Sequence, residues 1–216
     1  MNPLSLELLS VNVAQPKMLG EQNGDIVYSA IGKIPVSGAT VDVGRINLAG
    51  DEQADRENHG GPDKAIYCYP ADHWSWWQEE HDFRCAPGAF GENLTIAGAN
   101  ETAVHIGDRF AWGDAVLQVA QPRVPCFKLQ MYAKRTDVGA LLTTSGRCGW
   151  YFRVLKQAGA PTKSALTRIG KGDGPTVREA FHAAFDRRVP HARRSEIAAV
   201  SALSEAWRKR LLAGIS

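Results

Sequence analysis

No stretch of about eighteen consecutive apolar residues occurs in the chain, so no membrane-spanning helix is expected. A basic, apolar leader is missing too. The segment Met1-Asn-Pro-Leu-Ser-Leu-Glu-Leu-Leu9 starts without positive charge and carries Glu7 inside its apolar run, which argues against a secretory signal and for a cytoplasmic protein. Cysteine is sparse, and the four residues at 68, 85, 126 and 148 form no Cys-x-x-Cys pair. Without an export signal these are expected to be reduced thiols, and their spacing argues against structural zinc. His73 and His81 have no third ligand in helical register, so they give no metal site. Charge is nearly balanced at net +2, which offers no global sign of nucleic acid. Residues 171–216 hold 9 Lys+Arg against 5 Asp+Glu, but the arginines are not arranged as a reading helix. A solvated helix face is the expectation there, and nucleic acid is not an expected partner.

What remains is an ordinary globular balance. With 216 residues, 44% hydrophobic and 22% charged, the chain supports one sizeable core, or one core plus a small satellite. Residues 4–13 partly alternate and read as a strand. Residues 14–25, with Pro16, Gly20 and Gly24, read as a loop. Residues 29–36 and 40–43 read as strands joined by a hairpin turn at Ser37-Gly38, followed by a strand-like piece at 44–48. Residues 65–69 read as a buried strand with Cys68 in the core, and Pro70 opens a short helix whose Trp74 and Trp77 face inward. A hairpin over 104–110 and 115–120 turns at Gly113-Asp114. Two weakly helical pieces at 127–132 and 138–142 follow, then a strand at 150–155 and a final strand plus linker over 156–174. Thr176 and Glu179 match a capping box, and Val177, Ala180, Phe181, Ala184 and Phe185 form one apolar helix face. Helical pieces at 195–200 and 204–212 complete a small appendage. Regularly spaced short strands argue for a barrel or a sandwich rather than a βαβ sheet.

The stretch Gln121-Pro-Arg-Val-Pro-Cys-Phe-Lys-Leu129 stands out chemically. Two prolines stiffen the approach to Cys126, and Arg123 and Lys128 flank the thiol with positive charge. Nearby cations favour the thiolate, which is both the nucleophile and the metal-binding form. A buried cysteine acting as a small hydrophobe beside a turn fits these nine residues equally well. A polar loop over 50–64 holds His59, Gly60, Gly61, Asp63 and Lys64 between apolar strands. Its glycines could present N–H groups to an anion, or the loop could be plain surface. Two further Gly-rich turns carry Glu92-Asn93 and Ser145 with Arg147. Lys33 sits in the first strand region, where a surface lysine is the common reading.

Four motifs in this order, His59-Gly-Gly-Pro-Asp-Lys64, Gly88-Ala-Phe-Gly-Glu-Asn-Leu94, Gln121 to Leu129 and Ser145-Gly-Arg-x-Gly149, resemble the MOSC-domain family. The tail, with Pro175-Thr-Val-Arg-Glu-Ala and Leu203-Ser-Glu-Ala-Trp207, narrows the resemblance to the YiiM type, linked to 6-hydroxylaminopurine resistance. Asn58 and Cys148 stand where that group more usually has an apolar residue and Val or Thr. The resemblance implies a mainly β protein. An N-terminal strand and loop (1–29) would pack on a MOSC β-barrel (30–165) with a few inserted helices, followed by a C-terminal three-helix domain (175–214). It also implies a molybdenum cofactor (molybdopterin) with Cys126 as the molybdenum ligand, reduction of a small-molecule N-hydroxylated base, and a flavoprotein reductase as electron donor. Within that frame Lys33, Gly60, Gly61, Lys64, Arg123, Lys128, Ser145 and Arg147 would serve the cofactor's phosphate. Asn93 would offer an amide to the pterin, and His59 would give a proton or orient the leaving oxygen. Two rival readings are a cofactor or persulfide carrier without turnover, and a Cys126–His59 hydrolase.

Overall fold

The computed structural model describes residues 3–55 and 60–213. Its strands are β1 (Ser5–Val13), β2 (Lys17–Gln22), β3 (Asp25–Ser29), β4 (Ile34–Pro35), β5 (Thr40–Val43), β6 (Ile66–Pro70), β7 (Leu94–Ala97), β8 (Arg109–Trp112), β9 (Ala115–Pro122), β10 (Trp150–Lys156), β11 (Ala158–Pro161) and β12 (Ala165–Gly170). Its helices are α1 (Trp74–His81), α2 (Phe127–Ala133), α3 (Val138–Ser145), α4 (Val177–Phe185), α5 (His191–Ala198) and α6 (Glu205–Ala213).

Seven strands close a barrel in the order β12-β8-β9-β10-β6-β7-β1, and β1 pairs back onto β12 through Ser5↔Thr167 and Leu6↔Leu166. Closure removes the sheet edges that an open sheet would leave unpaired. Every neighbouring pair is antiparallel except β6 and β7, which run parallel through Cys68↔Leu94. A parallel pair needs a crossover too long for a tight turn, and the segment holding α1 supplies it. Period-2 burial aims Leu117, Phe152, Ile66, Leu94, Leu6 and Leu166 into the interior, all at 0% exposure.

A second apolar layer lies outside the barrel wall, where Ile31, Tyr67, Tyr69, Trp77, Phe90, Leu129 and Leu142 pack together. Trp77 is fully buried and its indole N–H donates to the Tyr69 hydroxyl at 2.6 Å, while Trp74 is only half-buried. Gly149 is required where the α3–β10 turn meets β6. It sits at φ 66°, and a Cβ there would lie 2.2 Å from the Cys68 carbonyl oxygen.

The C-terminal helices share the barrel's core, since Phe181, Trp207 and Leu211 belong to the same buried cluster as Leu117 and Trp150. Backbone bonds tie them down as well: Val177 N donates to Val104 O, Arg178 N to Glu101 O, and Ser204 N to Ala120 O. The Thr176–Glu179 capping box forms in both directions.

Three expectations need correction. Residues 14–25 are not all loop, because β2 lies there and forms a hairpin with β3, which begins at Asp25. Residues 29–36 contribute only the last residue of β3 and the two-residue β4, which pairs with β1, whereas β5 pairs with β11, so no hairpin joins β4 and β5. The piece at 44–48 is an isolated bridge between Leu48 and Val43.

Candidate active site

The β9–α2 junction places Cys126. Pro122 ends the strand opposite Trp150, and Cys126 takes an extended conformation (φ −132°, ψ 158°) at the start of α2. Cys126 is half-buried, whereas Cys68, Cys85 and Cys148 are buried. Burial pushes the Cys85 thiol up to about 12 and those of Cys68 and Cys148 well above the ordinary range. These three are held as neutral thiols near neutral pH.

Cys126 stands on the wall of a cleft of about 600 Å³, counted with the solvent at its mouth. The other walls come from Lys33, Asp51, Lys64, Arg123, Lys128 and Tyr151, together with residues of the second apolar layer. Arg123 is only 5% exposed, and its guanidinium lies 4.9 Å above the Tyr67 ring. Burial opposes its charge, but the facing Tyr67, Cys126 and Tyr151 groups outweigh that, and Arg123 remains a cation. Its Nη1 is buried without a hydrogen-bond partner. A buried guanidinium nitrogen left unsatisfied is costly, so this atom marks a place for an acceptor. Burial raises the Tyr67 and Tyr151 phenols, which keeps both neutral donors.

Behind this face runs a buried polar network. Lys33 pairs directly with Asp51, and burial lowers its pKa more than Asp51 restores it. Asp51 also accepts from Ala14 N at 2.9 Å and from Asn93 Nδ2 at 2.8 Å. Asn93 Nδ2 also donates to Asn12 O, and its Oδ1 accepts from Tyr67 N at 3.0 Å. Both amide hydrogens of Asn93 are therefore committed to the scaffold, which fixes Asp51 and β6 rather than leaving a free donor for a ring. Glu92 likewise accepts from Gly88 N, Phe90 N and the Thr95 hydroxyl, so it organises its own turn.

The structure gathers Lys33, Lys64, Asn93, Arg123, Cys126 and Lys128 around the cleft. It does not bring Ser145 or Arg147 to the lining. Arg147 stacks over Trp76 at 4.5 Å, and the Ser145 carbonyl accepts from Arg178 at 2.7 Å. Gly60 and Gly61 are not lining residues either; Gly61 precedes the short 3-10 turn Pro62–Lys64 that carries Lys64. His59 and Asn58 lie outside the described residues. Among the described residues no histidine lines the cleft. Asp51, Tyr67 and Tyr151 were missed by sequence reasoning. A tyrosine in an apolar strand reads as core, and Asp51 reads as one more acid in a polar loop.

A MOSC domain model matches residues 55–174. The chain is 36% identical over 198 residues to "Protein YiiM" of Escherichia coli strain K12, covering 86% of each. It is 39% identical over 113 residues to a protein named "Reductase" from Gibberella moniliformis, a match that spans half of this chain and 20% of that one. Its fold superposes on the crystal structure of YiiM from Geobacillus stearothermophilus with a TM-score of 0.79, at 33% identity, covering 95% of this chain and 99% of that one.

Proposed function

This chain belongs to the MOSC-domain family, and from that premise we propose that it binds a molybdenum cofactor in the Cys126 cleft and reduces N-hydroxylated bases to amines. One observation carries the reading: a half-buried cysteine and a buried guanidinium with an unpartnered nitrogen share one cleft. That donor set fits the group. A soft metal accepts a thiolate, and a pterin phosphate accepts charge-assisted hydrogen bonds from arginine and lysine. Cys126 would hold the metal. Arg123, with Lys64 and Lys128, would hold the phosphate, while Lys33 and Asn93 support the floor through Asp51. When bound, the cofactor supplies two-electron chemistry at the metal.

The overall change breaks the N–O bond: R–NHOH plus two electrons and two protons gives R–NH2 and water. The electrons come from an external flavoprotein-class donor. The chain's own task is to orient the hydroxylamine and deliver protons. His59 remains the proposed proton donor. Lys64 is a second candidate, because burial, only partly offset by Asp55 and Asp63, holds its ammonium below the usual lysine range. The Tyr151 phenol, neutral and facing Cys126, can donate a hydrogen bond to the leaving oxygen. The match to a protein named "Reductase" supports a reductive role.

The test compares wild type and Cys126→Ser, both purified from a host that makes the cofactor. Molybdenum content by plasma mass spectrometry and 6-hydroxylaminopurine reduction by an artificial electron donor are measured together. Wild type is expected to carry the metal and turn over, and the variant to lose at least 100-fold in rate, on the order of the effects seen when a reacting group is removed. A variant that retains full metal-dependent reduction overturns the proposal. Bound cofactor without turnover in wild type indicates the carrier reading instead.

A further inference from the structure

Cys126 also lines a second cleft, of about 710 Å³ counted with its solvent. The two clefts share Lys64, Cys126 and Tyr151, so the thiol stands where they meet. No residue of α6 lines the first cleft, whereas Ala206, Trp207 and Arg210 form an α6 wall in the second. We infer that the clefts divide the work. The first holds the cofactor, and the second admits the substrate's planar base between the Val124-Pro125 bend and α6, with Ala206 setting the width of the slot. This rests on the reductase reading above.

Position argues first. Arg123, the buried cation with the unpartnered nitrogen, lines the first cleft and not the second. The group that satisfies that donor therefore sits in the first cleft. A substrate that meets the reacting centre at Cys126 without displacing that group has the second cleft as its approach. The lining agrees. Half-buried Val124 and Pro125, exposed Ala206 and half-buried Tyr151, backed by buried Trp207, give an apolar and aromatic surface that takes a flat ring. The polar groups there are engaged with the protein itself. Gln121 Oε1 accepts from the Ser204 hydroxyl at 2.6 Å, and its Nε2 donates to Pro122 O at 3.3 Å. Asp55 and Asp63 both act on Lys64, and the Arg210 guanidinium rests over the Phe185 ring at 5.2 Å. A neutral base suits that lining better than a phosphate ester. The α6 wall is fixed from both sides of Ala206. Ser204 Oγ accepts from Trp207 N at 3.1 Å, and the Trp207 indole N–H donates to Ala180 O at 3.3 Å. Ala206 is itself exposed, so a larger side chain there fills the slot without entering the core.

The experiment uses the full-length, cofactor-loaded protein as wild type, Ala206→Trp, the milder Ala206→Leu, and Leu212→Trp. The last adds similar bulk at an exposed position of α6 outside both clefts. Adenine, the product of the proposed reaction, is titrated by calorimetry. Steady-state reduction of 6-hydroxylaminopurine and molybdopterin content are measured on the same preparations. Ala206→Trp is expected to weaken adenine binding and to raise KM, each at least tenfold, with kcat within threefold and molybdopterin content unchanged. Ala206→Leu should fall between it and wild type, and Leu212→Trp should match wild type. No adenine binding by wild type, or wild-type adenine affinity in both Ala206 variants, overturns the inference. So does an Ala206 variant whose defect is lost molybdopterin, since the cofactor would then occupy the second cleft. Adenine binding does not depend on turnover. A protein that reduces nothing, yet loses adenine binding on Ala206→Trp, sinks the reductase reading and leaves the ligand cleft standing.

Discussion

Four cysteines of one chemistry are separated by where the chain puts them. Three are buried and held neutral, and Cys126 alone stands at a cleft, beside a cation. A second polar group is set by its surroundings in the same way. Glu92 is fully buried, and desolvation raises its pKa above 4.5 even though three donors surround its carboxylate. Because the folded-state pKa exceeds the unfolded one, the group binds its proton more tightly in the native state. Its contribution is fully present below pH 4.5 and is lost as pH rises through the raised value. In Glu92→Gln this titration disappears. The stability of wild type minus that of the variant, from urea denaturation at a series of pH values, is therefore expected to decline as pH rises above 4.5. A flat or rising difference contradicts the assignment. The variant should also start lower overall, because an amide nitrogen placed against Phe90 N or Gly88 N replaces an acceptor with a donor.

The helix α4 shows what local sequence can specify. Thr176 Oγ1 accepts from Glu179 N at 3.1 Å, and Thr176 N donates to Glu179 Oε2 at 2.8 Å. Thr176→Ala is expected to cost about 1 kcal/mol in a denaturant titration, typical of losing such a cap. Glu179→Gln, which keeps an acceptor, is expected to cost less. This element was legible because its signal is contiguous. The β2–β3 hairpin was not, because neither strand has a fully buried residue and Met18, Ile26 and Tyr28 stand exposed. Without a buried face there is no alternation to see. Ala30 and Ile31 misled in the opposite direction: they are buried beneath the cleft yet belong to no strand. At the site, the prolines around Cys126 announced a stiff bend in the chain. The pairing of Arg123 with Tyr67 and Tyr151 depends on β6 and β10 lying side by side, and no local pattern encodes that.

For the molecule as a whole, the cleft is assembled from distant parts of the chain, and its integrity depends on a core that does not stop at the barrel. Trp207, at 1% exposure, packs with Phe181 and Phe185, and its indole N–H donates to Ala180 O at 3.3 Å. The same buried cluster runs into the barrel through Leu117 and Trp150. Arg178 extends the connection: its backbone N donates to Glu101 O, its side chain reaches the Ser145 carbonyl, and the Glu101 carboxylate is hydrogen-bonded to His73 Nε2 at 2.7 Å and accepts from Gly149 N at 2.7 Å. Helices bound this closely are not expected to melt on their own. Trp207→Ala should cost about 3–5 kcal/mol, as large aromatic truncations in cores do. In a protein of this size that lowers the midpoint by roughly 10 °C. Helical circular dichroism and the near-ultraviolet signal of the buried barrel tryptophans should shift together, in one transition. If the helical signal moved alone while the barrel signal stayed at the wild-type midpoint, the helices would be a separate unit.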